Sequence, residues 1–369
     1  MATVHSITAR LPFYLPYYET DKLLTLGPPE SMSDLALLDG KKWALFDFDF
    51  KRGQAIFLDA PKATDFSKVP FSYATHYEKA SRLAAISFAD FLDLAKKIHP
   101  GQKFVHLFNI AHCGSTLLHH VFNASGDAWC ISEPMFTYAL AMYRHGVSGE
   151  LLQGLAAAGL RFLSLYSGAD KASTIVVKHF SQATTQFELW HKAVPAAACL
   201  FLYRDALSWC NSIFGFVQRI GLPPTFPPEF HGLTWYMMSG NRPTTDFTNI
   251  ADFDNTDRRF EDFAVVAWAL HCQQYQAAVQ NGVPMRPFRY NELNNEKEMT
   301  VAEIFKHCDL GGEHIPAALK AFDHDSHEGS TTSHDKPVLK LSAESLARIG
   351  QILSHPQLAI SSDIILQPG

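Results

Sequence analysis

The stretch VHLFNIAHCGSTLLHHVF, from Val105 to Phe122, joins an apolar run to a small polar turn and then to a helix-like pattern. Strand, tight turn and helix are how α/β proteins build a phosphate cradle. The first N–H groups of the helix lack partners within it, and its dipole favours an anion at that end. Gly114 lets the backbone approach an anion closely, and Ser115 and Thr116 add hydroxyl donors. The common nucleotide loop reads G-x-x-x-x-G-K-[ST]. Here its first glycine and its lysine are missing, and His112 and Cys113 precede Gly114. Three further sets of polar residues follow short apolar runs: Glu133 after DAWCI, Lys178 with His179 at the end of STIVVK, and Arg204 after ACLFLY. Arg204 can fork onto an anionic group. Ser212 lies eight positions on, two turns into the next helical pattern, where it could reach the same group. Glu133 is a candidate base.

These residues converge only if the elements before them share a sheet. Strands are expected at about 104–108, at DAWCI, at STIVVK ending at Lys178, at ACLFLY, and at PMRPFRY. Helices are expected at about 115–122, over TTQFELWHKAV up to Pro195, over ALSWCNSIFGFVQRI, and over DRRFEDFAVVAWALHCQQYQAAVQNG, which Gly282 ends. Strands alternating with helices imply a mostly parallel sheet. Its carboxyl ends share one edge, and ligands of open α/β sheets bind there. Before this region, KKWALFDFDFKRGQAIFLDAP reads as two strands around a turn at Arg52–Gly53. Residues 73–98 read as helical, in two pieces, with Ser87 as a cap candidate. Residues 221–255 read as a long loop, a lid, a substrate wall or a plain insertion. There is no internal repeat.

Composition sets outer bounds. The chain has 369 residues, is 47% hydrophobic and 18% charged, and so can bury a substantial core. A net charge of -6 argues against a general binder of nucleic acid or of membrane surfaces. Six cysteines without a C-x-x-C pair suggest neither a zinc site nor a disulfide framework, and free thiols suit a reducing compartment. The N-terminus lacks the order of a signal peptide, and no apolar run approaches the roughly 20 residues that span a bilayer. A cytoplasmic protein is the expectation.

The set of motifs resembles the sulfotransferases that use 3'-phosphoadenosine 5'-phosphosulfate (PAPS). In that family a strand-turn-helix with a [KR]-x-G-[ST]-[ST] core binds the 5'-phosphosulfate, and HCGST stands in its place, with His112 where the family has Lys or Arg. A later strand ending in Arg, with Ser about eight residues on, holds the 3'-phosphate, and Arg204 and Ser212 of LFLYRDALSWCNSI match it. The stretch GSTLLHHVFNASGDAWCISEP is similar to the carbohydrate and tyrosyl-protein branches, where a Glu after the second strand is the base. VVKH is similar to the cytosolic branch, where a Lys and a nearby His work on the acceptor. FRYNELNNEKEMTVAEIFKHCDL resembles the R-Y-E-x-L segment and its following helix, and DSHEGS at 325–330 resembles a late nucleotide-side loop.

The resemblance covers roughly residues 100–330. It implies a P-loop-like, mostly parallel sheet flanked by helices over 100–369, with residues 1–99 as an accessory region packing on that core. It implies transfer of a sulfuryl group from PAPS to a hydroxyl or amine of a small-molecule or carbohydrate acceptor, leaving 3',5'-ADP, with no metal. His112, Cys113, Gly114, Ser115, Thr116, Leu117, Arg204 and Ser212 would hold the nucleotide. Glu133 would be the base, with His179 as the alternative. Lys178, Ser115 and the loop N–H groups would neutralise the sulfonyl oxygens, and His112 the bridging oxygen. Two other readings stay open: a P-loop kinase-like phosphotransferase, against which the missing GK[ST] argues, and a non-catalytic nucleotide-binding relative, which His112 would suit.

Overall fold

In the computed structural model the described residues are 1–13, 20–60, 65–143, 146–219, 221–239, 258–324, 340–356, 358 and 360–369. By internal contacts they form two compact units. One comprises residues 1–106, 122–180 and 188–198; the other comprises 107–121, 181–187 and 199–369. Residues 1–99 therefore share a unit with the strands that lead to Glu133 and Lys178.

The first unit begins with strands β1 (Ala2–Arg10), β2 (Leu24–Leu26), β3 (Glu30–Met32), β4 (Trp43–Asp49), β5 (Gln54–Asp59) and β6 (Arg82–Ser87). They form an antiparallel sheet in the order β2-β1-β6-β5-β4, with β3 also on β1. Gly53 turns β4 into β5 with a φ of 66°, as the Arg52–Gly53 turn requires. The helical reading of 73–98 is corrected in its middle. Helix α1 (Ser72–Lys79) and helix α2 (Phe88–Ala95) are present, and Ser87 caps α2 by accepting from the Asp90 N–H. Between them β6 lies inside the sheet, paired to both β1 and β5. Its residues Leu83 to Ile86 are all buried, so its apolar run carries no period-2 signal to tell strand from helix. Phe48 packs edge-on against Phe88, Phe91 and Phe136, which joins the sheet to the helices over it.

The second sheet is the one the alternation predicts. Strand β7 (Lys103–Asn109) leads into helix α3 (Ser115–Ala124), followed by β8 (Ala128–Ser132), β9 (Thr174–Lys178) and β10 (Ala198–Tyr203). Helix α4 (Ala206–Arg219), the short strands β11 (Thr225–Phe226) and β12 (Arg258–Arg259), and helix α5 (Phe260–Gln280) precede β13 (Met285–Arg289) and helix α6 (Tyr290–Asn295). The five-stranded parallel sheet has the order β13-β10-β7-β9-β8. All five residues of β8 and of β9 are buried, as strands of a parallel sheet covered on both faces demand. Helix α5 is buried from Phe260 to Cys272, and its Tyr275 stacks on Phe201 of β10. The loop expected at 221–255 is in part regular: Pro228–Ser239 is a helix, with proline at its first position where a missing N–H does no harm. Residues 240–257, and the DSHEGS stretch, lie outside the described residues.

Candidate active site

The turn after β7 is held in an unusual backbone conformation. Ala111 and His112 have φ of 57° and 46°, and Gly114 has 86°. Left-handed residues other than glycine cost about 1–2 kcal/mol each, so the surroundings must impose the shape. They do so from three sides. Asn109 Oδ1 accepts from the Ala111 N–H at 2.9 Å and from Ser115 Oγ at 3.3 Å. The indole N–H of Trp209, on α4, donates to the carbonyls of Ile110 and Ala111 at 2.8 and 2.9 Å. Cys113 is fully buried and donates its thiol to the Leu202 carbonyl of β10 at 3.2 Å, a packing role. Ser115 and Thr116 are buried in the first turn of α3, with Leu117 half-buried beside them.

Arg204 and Ser212 meet this turn at His112. The guanidinium of Arg204 donates from Nη1 to the His112 carbonyl at 3.5 Å, and Ser212 Oγ lies 3.3 Å from His112 Nδ1. The His112 ring packs on Phe216, one turn beyond Ser212 on α4. Trp268 of α5 donates to the Arg204 carbonyl at 2.8 Å, fixing the backbone where β10 ends. The Nε of Arg204 is buried and meets no protein acceptor among the described residues. A buried cationic donor left open beside a loop of donors suits an anion.

The first unit carries a separate cluster at the ends of β8 and β9. Glu133 has a φ of 54°, and its N–H donates to the Lys178 carbonyl at 2.8 Å. Its Oε1 pairs with Lys178 Nζ at 2.6 Å, and its side chain is 15% exposed against 1% for the lysine. Lys178 Nζ also donates to Ser132 Oγ at 3.0 Å, and Ser132 Oγ donates onward to the Pro70 carbonyl at 2.6 Å. Ser72 Oγ returns a bond to the Ser132 carbonyl at 2.6 Å. The Phe71 ring lies 5.4 Å from Lys178 Nζ, within cation–π reach. Tyr73 packs on Phe180, and burial, helped by the charge of Glu133, pushes its phenol well above the ordinary tyrosine range, so it is a hydrogen-bond donor at neutral pH. His179 points the other way. It is fully buried, lies 2.9 Å from His106 Nδ1 through Nε2, and packs on Trp190. Burial, then the neighbouring His106, depress its pKa well below the usual value, so it is neutral.

Asn109, Trp209, Ser132 and the Pro70–Tyr73 segment were not singled out from sequence. Their roles are contacts between distant segments, which no local pattern encodes. Among the described residues no group of three or more His, Cys, Asp or Glu could hold a metal, and no helix is long and apolar enough to cross a membrane.

No protein-family model matches the chain, and no curated protein matches it. Among solved structures it is similar to the sulfotransferase STF9 of Mycobacterium avium, at 10% identity and a TM-score of 0.41 over 76% of this chain and 81% of that one. It is similar to retinol dehydratase in complex with androsterone and the inactive cofactor PAP, at 10% identity and a TM-score of 0.38 over 88% and 98% of the two chains. A third similar structure is the sulfotransferase domain from the curacin biosynthetic pathway, at 15% identity and a TM-score of 0.37 over 70% of this chain and 99% of that domain.

Proposed function

We propose that the protein transfers a sulfuryl group from PAPS to a hydroxyl-bearing acceptor. The observation that carries this reading is the turn at 110–116. It is locked in a left-handed shape at the start of a helix, with Arg204 and Ser212 gathered on His112 and an open Arg204 Nε among them. The residues present fit a nucleotide with two separated anionic ends. The first-turn N–H groups of α3 and Ser115 take the 5' end, and Arg204 with Ser212 takes the 3'-phosphate.

When bound, PAPS supplies an activated sulfur whose bond to the 5'-phosphate oxygen breaks as the acceptor oxygen bonds to it. The chain's residues do the rest. Glu133 accepts the acceptor proton, and Oε2 is the oxygen for it, since Oε1 is engaged by Lys178 and Oε2 has no partner among the described residues. Lys178 holds that carboxylate in place and faces developing negative charge with its ammonium. His112, as a ring N–H donor on the loop, would face the departing oxygen. The turn at 110–116 and Arg204 follow the carboxyl ends of β7 and β10, where α/β folds carry their chemistry.

The test is the affinity of Arg204→Ala for 3',5'-ADP. Loss of a charge-assisted contact should weaken binding about ten- to a hundredfold, with 5'-AMP affected far less. An unchanged dissociation constant removes Arg204 from the site.

A further inference from the structure

The parallel register of β10 and β13 pairs Tyr203 with Arg289, so the next residues along, Arg204 and Tyr290, come side by side. Each leaves its strand there. Tyr290 is the first residue of α6, fixed by the Arg289 N–H donating to Glu292 Oε2 at 3.0 Å. Two groups of the proposed nucleotide site lie against its ring. The Arg204 guanidinium carbon lies 4.6 Å from the ring centre. Gly114 is so close that a Cβ there would come within 2.6 Å of Tyr290 Cδ2. Gly114 is therefore required twice, by its left-handed backbone and by this ring. The ring thus touches both the anion loop and the cation proposed to face it.

We infer that Tyr290 is the positioning residue for Arg204, and that it sets the preference of the site for a nucleotide bearing a 3'-phosphate. The inference rests on the reading above that Arg204 grips that phosphate. An arginine has several rotatable bonds, and ordering them at the moment of binding weakens affinity. A ring face already 4.6 Å from the guanidinium carbon restricts where that group can lie. Its Nε, which has no protein partner among the described residues, is then the donor left for the ligand. The contact needs the aromatic face and not the phenol hydroxyl.

The experiment compares wild type with Tyr290→Phe, Tyr290→Leu and Tyr290→Met in the full chain, with thermal melts to confirm folding. Methionine, flexible and of similar volume, serves should leucine not fold. Two readouts are taken. Calorimetric titration with 3',5'-ADP and with 5'-AMP reads specificity. The Nε–H resonance of Arg204, assigned with Arg204→Lys, reads the stack without any ligand, because a ring face shifts it upfield. The expected result is that Phe keeps both signatures. Leu or Met should lose about three- to thirtyfold in 3',5'-ADP affinity with 5'-AMP little changed, and the resonance should return to the ordinary arginine position. An unmoved resonance in Leu and Met overturns the inference, as does an equal loss for both nucleotides, which would mark Tyr290 as structural only. Wild type binding both nucleotides alike sinks the 3'-phosphate reading and the specificity role with it, while the resonance still decides whether Tyr290 holds Arg204.

Discussion

Glu133 carries two constraints at once: a left-handed backbone just before Pro134, and a carboxylate pinned to a lysine that is 1% exposed. The second changes what a Glu133→Gln substitution should do. As the base, Glu133 is expected to contribute about 10²–10⁴-fold to turnover, and an amide cannot take the proton. Nucleotide affinity should stay near wild type, because the proposed nucleotide contacts lie at 112–117, 204 and 212. Stability should also fall, by about 1–3 kcal/mol, because a buried ammonium loses its counter-charge and keeps only a neutral acceptor. The double variant Glu133→Gln with Lys178→Met should recover part of that stability and none of the turnover. Turnover and melts of the three proteins check it, and a stable, active Glu133→Gln would remove this carboxylate from the chemistry. His179, its alternative from sequence, sits in the interior against His106 and Trp190.

At the scale of elements, the alternating half of the chain was legible because each βα step leaves a local mark. The run to Asn109, the glycine turn and the pattern after Ser115 each have a period or a breaker, as do DAWCI, STIVVK and ACLFLY. The antiparallel sheet was half legible. The β4–β5 hairpin announces itself through Gly53, whereas β1 pairs with β6 across almost eighty residues, a link that no window of sequence contains. The same reason hid the clasp at the end of β8. Ser132 matters because Pro70 and Ser72 reach it, and its hydroxyl accepts from Lys178 while donating to Pro70. Residues 70–73, from a region without a motif, thereby order the Glu133–Lys178 pair. Ser132→Ala should lower turnover by about tenfold and leave 3',5'-ADP affinity intact, with Ser132→Thr restoring most of it. A variant with full turnover would show that Lys178 needs no help from the clasp.

For the molecule as a whole, buried histidines make stability depend on pH. His76 in the first unit packs between Phe46 and Phe66, and burial takes its pKa down to about 4. His271 in the second is bonded to Thr184 Oγ1 at 2.6 Å and is likewise taken by burial to about 4. His106, in its pair with His179, is taken down to about 3, chiefly by burial. The unfolded chain would protonate each near its ordinary value of about 6.5. Between that value and the folded one, the unfolded state binds more protons, so stability is complete above about pH 6.5 and falls as pH falls. Each group contributes up to about 1.4 kcal/mol per pH unit within its window. Asp47 acts with the opposite sign. Burial raises its carboxyl well above the usual range, so the folded state holds the extra proton and gains stability toward acid. One carboxyl against at least three histidines leaves the net slope positive between pH 5 and 6.5. Urea midpoints should therefore drop on going from pH 7.5 to pH 5. His76→Phe, which keeps a ring between Phe46 and Phe66 but cannot titrate, should drop less. A wild-type midpoint that is flat over this range would mean that water reaches these rings in the folded protein.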